Sequence, residues 1–401
     1  MNLIQSFPDL AWPATLLIAW LAGELCYHRF GLPRISIYAL VGFVLAFSQI
    51  GLLPQTSSNT ILLLANTAFA LILFEAGYGI NLHWLRVNPW IGLTSLFETI
   101  LTFTAVFLLA RWFNLTFVTA SLLATLAMAT SPATIMRVVN EYQGSGQVTE
   151  RALHLSVLNC VLAVLIFKII VGLAIFKTTG NFAAAIYDSV IVVSVSIILG
   201  ALFGMTLPIL LRTIQRTPQD STLAFTIAVI VLVAITHGLN LSPVLAALTF
   251  GLLTRHRRII LSPWQRGFGA LGDLLSILLF VFIASTLEWH KIIAGIGIGI
   301  ALIVVRSLTK IIGITSFSHL SGITWRKGLL ISLAMTPLSA FVILVLEQSR
   351  SLGINFIDQL QPVTAAALIL EIVGPIVTLY ALRWAKEVPN SKELKNVTQT
   401  I

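Results

Sequence analysis

The sequence predicts an all-α polytopic membrane protein, and three observations support this fold class. Of the 401 residues, 57% are hydrophobic and only 10% are charged, whereas a soluble protein of this size would carry far more charge on its surface. Apolar stretches of about 20 residues, long enough to cross a bilayer as helices, recur along nearly the whole chain. Two of these stretches are interrupted by a proline that follows hydroxyl residues.

The apolar stretches divide the chain into about thirteen predicted transmembrane helices, and the stretch over 241–254 is the shortest of them. The first run lacks the basic flank of a cleaved signal peptide, so we expect it to be retained as a span. We predict one transmembrane domain over 1–385 and a short polar cytoplasmic tail over 386–401. The predicted spans are 10–27, 34–52, 60–80, 89–111, 114–138, 152–174, 183–211, 220–237, 241–254, 265–287, 292–315, 326–348 and 359–384.

The distribution of Lys and Arg predicts the orientation of these spans. Cytoplasmic loops of membrane proteins carry an excess of positive residues, and the net charge here is +9. If the N-terminus is outside and the C-terminus cytoplasmic, most of the 24 Lys and Arg residues fall in inner loops. The excess charge then orients the protein in the lipid bilayer and does not indicate a nucleic-acid partner. The outer loops hold only Arg111, Lys177, Lys291 and Arg350.

Two proline-containing segments predict broken helices. Thr130, Ser131 and Pro132 lie within the fifth span, and Thr336 precedes Pro337 within the twelfth. A proline inside a helix removes a backbone donor and frees a carbonyl, which in a single helix indicates no more than a kink. Because the two segments are seven spans apart, they run in opposite directions, as corresponding helices of an inverted repeat do in secondary transporters.

Ionisable groups deep inside the spans predict a polar core. Glu75, Glu98, Arg306 and Lys310 each cost roughly 3 kcal/mol or more in lipid unless they are paired or hydrated. Arg306 and Lys310 are four residues apart and share a helix face, so we expect a carboxylate opposite them, with Glu75 as the first candidate. Snorkelling or structural ion pairs are the alternative. Four other acids, nearer the span ends, are assigned solvated or helix-terminal roles: Glu24, Asp273, Glu347 and Glu371.

Ordered motifs of the chain resemble the sodium/proton exchanger family of monovalent cation/proton antiporters, including its Kef-type branch. The resemblance covers nearly the whole membrane region. It implies inverted repeats, two broken crossing helices in a mobile core, a dimerisation domain, a homodimer, and a location in the bacterial inner membrane. The motifs are GLPRISIYALVGFVLA, LILFEAGYGINLHWLR, ATSPATIMRVVNEY, RSLTKIIGI, LAMTPLSAFVILV and EIVGPIVTLYALRWAKE.

The resemblance also implies roles for individual residues. It assigns Thr130, Ser131 and Pro132 to the crossing, Glu75 and Arg306 to a structural ion pair, and Lys310 to a basic position near the crossing. Asn159 and Cys160 stand where the family carries Asp-Asp or Asn-Asp, the second member being the ion- and proton-carrying carboxylate. A buried thiol stays mostly protonated and is a poor ligand for hard cations, so the usual exchange chemistry requires another acid. Asn159 alone is equally consistent with a hydrogen bond between helices.

Three functions fit these observations. The first is a monovalent cation (Na⁺ or K⁺)/proton antiporter in which another buried acid, Glu98 first and Glu75 next, takes over the exchange. The second is a transporter or facilitator of the same fold that is not coupled to protons, and the third is a non-transporting membrane sensor. An enzyme is disfavoured because no nucleophile–base pair or metal cluster occurs at workable spacing. We expect no cofactor and no metal site.

Overall fold

The computed structural model describes residues 8–54, 59–179, 182–213, 218–256, 268–351 and 360–389. Within these ranges the secondary structure is helical, apart from one isolated β-bridge. This confirms the all-α class. The sixteen described helices are α1 (Pro8–Phe30), α2 (Arg34–Leu45), α3 (Asn59–Gly79), α4 (Leu82–Val87), α5 (Pro89–Trp112), α6 (Phe117–Met128), α7 (Pro132–Tyr142), α8 (Gln147–Thr179), α9 (Phe182–Thr213), α10 (Pro218–Gly238), α11 (Pro243–His256), α12 (Gly269–Ser285), α13 (Trp289–Ser316), α14 (Trp325–Ala334), α15 (Ala340–Ser351) and α16 (Gln361–Trp384).

Each predicted span coincides with one helix or with a pair of short helices. The fifth span is divided between α6 and α7, and the twelfth between α14 and α15. Seven of the described helices are long and apolar enough to cross a membrane, which makes the chain a multi-pass membrane protein. The total of thirteen transmembrane helices stays a prediction. The predicted tail over 386–401 is described only as far as residue 389, and the rest lies outside the described residues.

Close backbone contacts hold α11 between α3 and α9. Gly77 of α3 lies against the carbonyl of Leu248, and Gly251 of α11 lies against the carbonyl of Phe74. The two helices therefore contact each other reciprocally through glycines, with no space for a Cβ atom at either one. Small residues at helix contacts let backbones approach closely, which is how membrane helices gain packing energy without a hydrophobic driving force between them.

A second group of helices surrounds the two broken ones. α5 packs against α6, α8 and α13, and α16 packs along α13 and α14. Contacts between α2 and α16 and between α3 and α7 join this group to the rest of the bundle. The broken helices thus lie inside a shell of continuous helices, which removes their interrupted backbone from lipid as the apolar environment requires.

Polar side chains of α7 connect this half-helix to four other segments of the chain. Arg137 and Asn140 donate to carboxylates on the flanking helices, Glu141 accepts from the first backbone N–H of α2, and Tyr142 donates to a loop carbonyl. α7 is consequently fixed at the end that lies away from the proline. The bonds are Arg137 Nη1 to Asp273 Oδ1 (3.2 Å), Asn140 Nδ2 to Glu75 Oε1 (2.7 Å), Arg34 N to Glu141 Oε1 (3.2 Å) and Tyr142 Oη to the oxygen of Gly31 (3.0 Å).

The glycine contact between α3 and α11 leads to a stability prediction. Replacing Gly251 by Ala should lower the midpoint of thermal unfolding in detergent, because the new methyl group overlaps backbone atoms of α3 and such overpacking costs about 1–3 kcal/mol. The matched control is Gly297→Ala in α13, where no atom lies within 4 Å of the position that a Cβ would take. Equal midpoints for the two variants would contradict the tight α3–α11 contact.

Candidate ion site at the crossing of two broken helices

The two broken helices meet at their interruptions. α6 ends at Met128 and α7 begins at Pro132, while α14 ends at Ala334 and α15 begins at Ala340. Thr130 and Leu338 form an antiparallel β-bridge between the two extended segments, so the chains run in opposite directions where they cross. Because both helices are broken at the same place, N–H and C=O groups without intrahelical partners from the two helices lie next to each other in the interior.

Local sequence explains why α7 starts where it does. Ser131 is the residue before the helix, and its hydroxyl accepts a hydrogen bond from the backbone N–H of Thr134 (3.1 Å). Pro132 occupies the first helical position, where the missing N–H has no intrahelical partner to lose. The backbone N–H of Ser131 donates to the oxygen of Pro337 (3.2 Å), which ties the two interruptions together.

Arg306 of α13 supplies donors to the crossing and is fully buried. Its guanidinium donates to carbonyl oxygens at the ends of both interrupted helices. Carbonyls at a helix C-terminus carry partial negative charge and lack intrahelical donors, so the cation satisfies them and balances their dipoles. The acceptors are the oxygens of Ala127 (2.8 Å), Ala129 (3.2 Å), Thr336 (2.7 Å) and Pro337 (3.2 Å).

Glu98 of α5 is the carboxylate opposite the basic residues of α13. Lys310 Nζ lies 2.7 Å from Glu98 Oε1, and both side chains are 1% exposed. Thr102 Oγ1 donates to the same carboxylate oxygen over 3.0 Å, and Asn159 Nδ2 donates to the other. Glu98 is thus the carboxylate that contacts Lys310 in the structure, whereas Glu75, the first candidate, accepts a hydrogen bond from Asn140.

The structural ion pair implied for Glu75 and Arg306 stays a prediction, because the contacts described for each residue are with other groups. Glu75 lies on α3 and accepts a hydrogen bond from Asn140 of α7, whereas Arg306 bonds to the crossing carbonyls.

Asn159 of α8 uses both ends of its amide within the site. Its oxygen accepts from Ser95 Oγ (2.8 Å) and from Thr99 Oγ1 (3.3 Å), and its nitrogen donates to Glu98. Sequence reasoning missed Ser95, Thr99 and Thr102. Their spacing with Glu98 on α5 forms a polar stripe with helical periodicity, and this stripe was the available signal that Glu98 faces the interior.

Cys160 lies beside the crossing in an uncharged environment. The thiol is fully buried, and its Sγ lies 3.8 Å from Ser339 Oγ, in the extended segment between α14 and α15. Among the described residues, the buried hydroxyl of Thr130 has no hydrogen-bond partner. The hydroxyl of Thr336 donates to the oxygen of Leu333 (2.6 Å). The crossing therefore brings Thr130, Ser131, Pro132 and Thr336 together, with Cys160 next to them.

These features define a class of protein. Two antiparallel broken helices that cross at their interruptions, with buried charges beside the crossing, are the arrangement in which secondary transporters bind ions near the middle of the membrane. The family described as "Sodium/hydrogen exchanger, transmembrane" matches residues 14–383. The chain therefore belongs to the sodium/hydrogen exchanger family, whose members are membrane transporters and not enzymes.

Solved structures show the same fold. The structure of the sodium proton antiporter MjNhaP1 from Methanocaldococcus jannaschii at pH 8 superposes with a TM-score of 0.69 at 15% identity, covering 96% of this chain and 98% of that one. A second structure of MjNhaP1, from an electron microscopy map, gives a TM-score of 0.69 at 17% identity, with 96% of each chain covered. No functionally curated protein matches the sequence.

The carbonyl contacts of Arg306 lead to a prediction for the crossing. Arg306→Met should lower the unfolding midpoint and the yield of monodisperse protein, because each buried carbonyl left without a donor costs about 1–3 kcal/mol. The control is Arg111→Met, since Arg111 is exposed at the end of α5 and bonds only the oxygen of Leu115 in the described structure. A midpoint for Arg306→Met equal to that of the control would show that the crossing does not depend on this side chain.

Proposed function

We propose that this protein exchanges a monovalent cation for protons across the membrane, with Glu98 and Lys310 as the exchanging pair. The observation that carries this proposal is the buried 2.7 Å contact between Lys310 Nζ and Glu98 Oε1. Lys310 lies one helical turn from Arg306, so the pair is next to the crossing. Family membership supports cation and proton as the substrates.

The charges of this pair give a physical reason for exchange. The charges of Glu98 and Lys310 balance each other, so a second cation beside Glu98 adds an uncompensated positive charge to the buried site. An uncompensated buried charge costs about 3–5 kcal/mol. A metal cation that binds Glu98 displaces the ammonium of Lys310, and release of a proton from Lys310 removes the resulting cost. Binding of the cation and retention of the proton therefore exclude each other, which is the condition for antiport.

The neighbours of Glu98 supply the oxygen atoms that hard monovalent cations require. Thr102 contributes a hydroxyl that contacts Glu98 Oε1. The amide oxygen of Asn159, which faces Ser95 and Thr99, lies one contact further from the carboxylate. Cys160 contributes none, since a neutral thiol is a poor ligand for a hard cation. In this proposal Glu98 replaces the missing carboxylate at position 160, and Glu75, which bonds Asn140, is the less favoured acid.

The crossing residues and the assembly complete the proposal. Thr130, Ser131, Pro132 and Thr336 form the interrupted backbone past which the cation moves, within a core that moves relative to a dimerisation domain in a homodimer. The N-terminus lies outside and the C-terminus in the cytoplasm of a bacterial inner membrane. The charge asymmetry of the loops supports this orientation.

The test is proton flux in sealed proteoliposomes, reported by an internal pH dye when Na⁺, K⁺ or Li⁺ is added outside. Wild-type protein should move protons in response to at least one cation, and Glu98→Gln should reduce this flux to the level of protein-free vesicles, because the amide cannot carry the charge. Cys160→Ser is the matched control. It keeps a neutral, hydrogen-bonding group at position 160 and should preserve the flux.

Each other result has a definite meaning. Flux retained in Glu98→Gln contradicts the role of this carboxylate. Cation uptake by wild type without proton movement identifies a transporter of this fold that is not coupled to protons. If only Cys160→Asp shows exchange, the scaffold supports antiport but the native protein has a different activity.

A further inference from the structure

Glu371 is a buried acid that the proposed exchange does not use. It lies in the middle of α16, contrary to its predicted place near a span end, and it is 3% exposed. Its Oε1 is buried and accepts no hydrogen bond from any residue that the structure describes. Nor does it form an ion pair within the described ranges. Glu98, by comparison, has Lys310, Thr102 and Asn159 as partners.

The face of α16 that carries Glu371 runs along the second broken helix. At Gly374, three residues further along, a Cβ would lie 2.9 Å from the Cα of Pro337 at the crossing. Thr378, seven residues from Glu371, donates to the oxygen of Ala334 at the end of α14 over 3.0 Å. Residues three and seven apart share a helix face, so Glu371 lies one turn from the interrupted backbone.

Contacts between α13 and α16 place Glu371 near the level of Arg306. Gly299 of α13 packs against Ala365 of α16, while further along Arg306 and Gly374 both contact the segment at Pro337. The two helices therefore run in the same direction. Glu371 lies between these two contact levels and within about one helical turn of Arg306 along the axis.

Charged groups on the helices around α16 have other partners. An ionised carboxylate at Glu371 would thus be buried without a described counter-charge, and this cost disappears when the carboxyl carries a proton or binds a cation. The groups and their partners are Arg306 with the crossing carbonyls, Lys310 with Glu98, Arg137 with Asp273, Arg34 with Glu24 and Glu141, Arg326 with the oxygen of Trp384, and Lys327 with Gln147. The phenol ring of Tyr38 packs against Gly23.

We propose that Glu371 is a second proton-carrying acid of the transport cycle, which is protonated in this conformation and releases its proton when the crossing opens to water. This inference rests on the proposed antiport and adds a second titrating group to it. Glu98 and Lys310 exchange a cation for one proton, and Glu371 then raises the number of protons moved per cation. Because more than one proton per monovalent cation moves net charge, the exchange would depend on membrane voltage.

The number of protons per cation is the measurement that tests this role. In proteoliposomes with an imposed diffusion potential, the voltage at which net flux stops gives this number. Glu371→Gln should lower the number and flatten the pH profile of the flux, while leaving cation-dependent exchange in place. Glu371→Asp should restore both. Thr378→Val is the control, because it changes the same buried face of α16 without removing a titrating group.

Labelling with a hydrophobic carbodiimide, followed by mass spectrometry, gives a readout that does not depend on transport. This reagent forms an acylurea with protonated carboxyls in apolar surroundings. We expect Glu371 of wild-type protein to be labelled, and labelling to decrease over the pH range in which flux changes. This readout decides the question even if Glu371→Gln does not fold.

Two results would overturn the inference. One is a Glu371→Gln variant whose proton number and pH profile equal those of wild type, which would leave the proposed antiport intact and make Glu371 a structural residue. The other is the absence of labelling at Glu371 at every pH. Failure of the proposed function is distinguishable from both, because wild-type protein would then show no cation-dependent proton flux.

Discussion

The rest of the site depends on the contact between the Arg306 guanidinium and the carbonyls of the crossing. Two interrupted helices in an apolar interior leave backbone oxygens that neither water nor the helices themselves can satisfy. Arg306 reaches both helix ends at once because its planar guanidinium presents several donors in a fixed geometry, which the single ammonium of a lysine could not do. The crossing is therefore held together by a side chain from a third, continuous helix.

This contact also decides which charges remain for ion chemistry. The guanidinium of Arg306 donates to the carbonyls at the ends of α6 and α14, so Lys310 is the cation that contacts Glu98 directly. Arg306 still interacts electrostatically with both members of that pair. Asn159 and the hydroxyls of α5 extend the pair into a hydrogen-bonded network in which the donors and acceptors are matched. Such networks strongly favour one arrangement of their members. A change of charge at Glu98 or Lys310 therefore alters the hydrogen bonds of the whole network.

Sequence patterns predicted the helices and their interruptions better than they predicted side-chain neighbours. Apolar runs locate the helices because lipid sets their length, and Pro132 and Pro337 locate the breaks because proline removes a backbone donor. The sequence places Glu75 and Glu98 deep inside spans but does not tell which one faces Lys310, since this depends on the rotation of each helix about its axis. Glu371 was assigned to a span end although it lies near the middle of both the predicted span 359–384 and α16. Its position was thus available from the sequence, whereas its neighbours depend on tertiary packing that no local pattern encodes.

The amide of Asn159 also constrains how this sequence can change over evolutionary time. Its nitrogen faces Glu98 and its oxygen faces two hydroxyls, so an aspartate at position 159 would place a second carboxylate directly against the first. Like charges at that distance in a desolvated site cannot both be ionised without an additional cation or proton. Positions 98 and 159 are therefore coupled: an acid gained at position 159 would have to hold a proton or bind an additional cation unless position 98 changed as well.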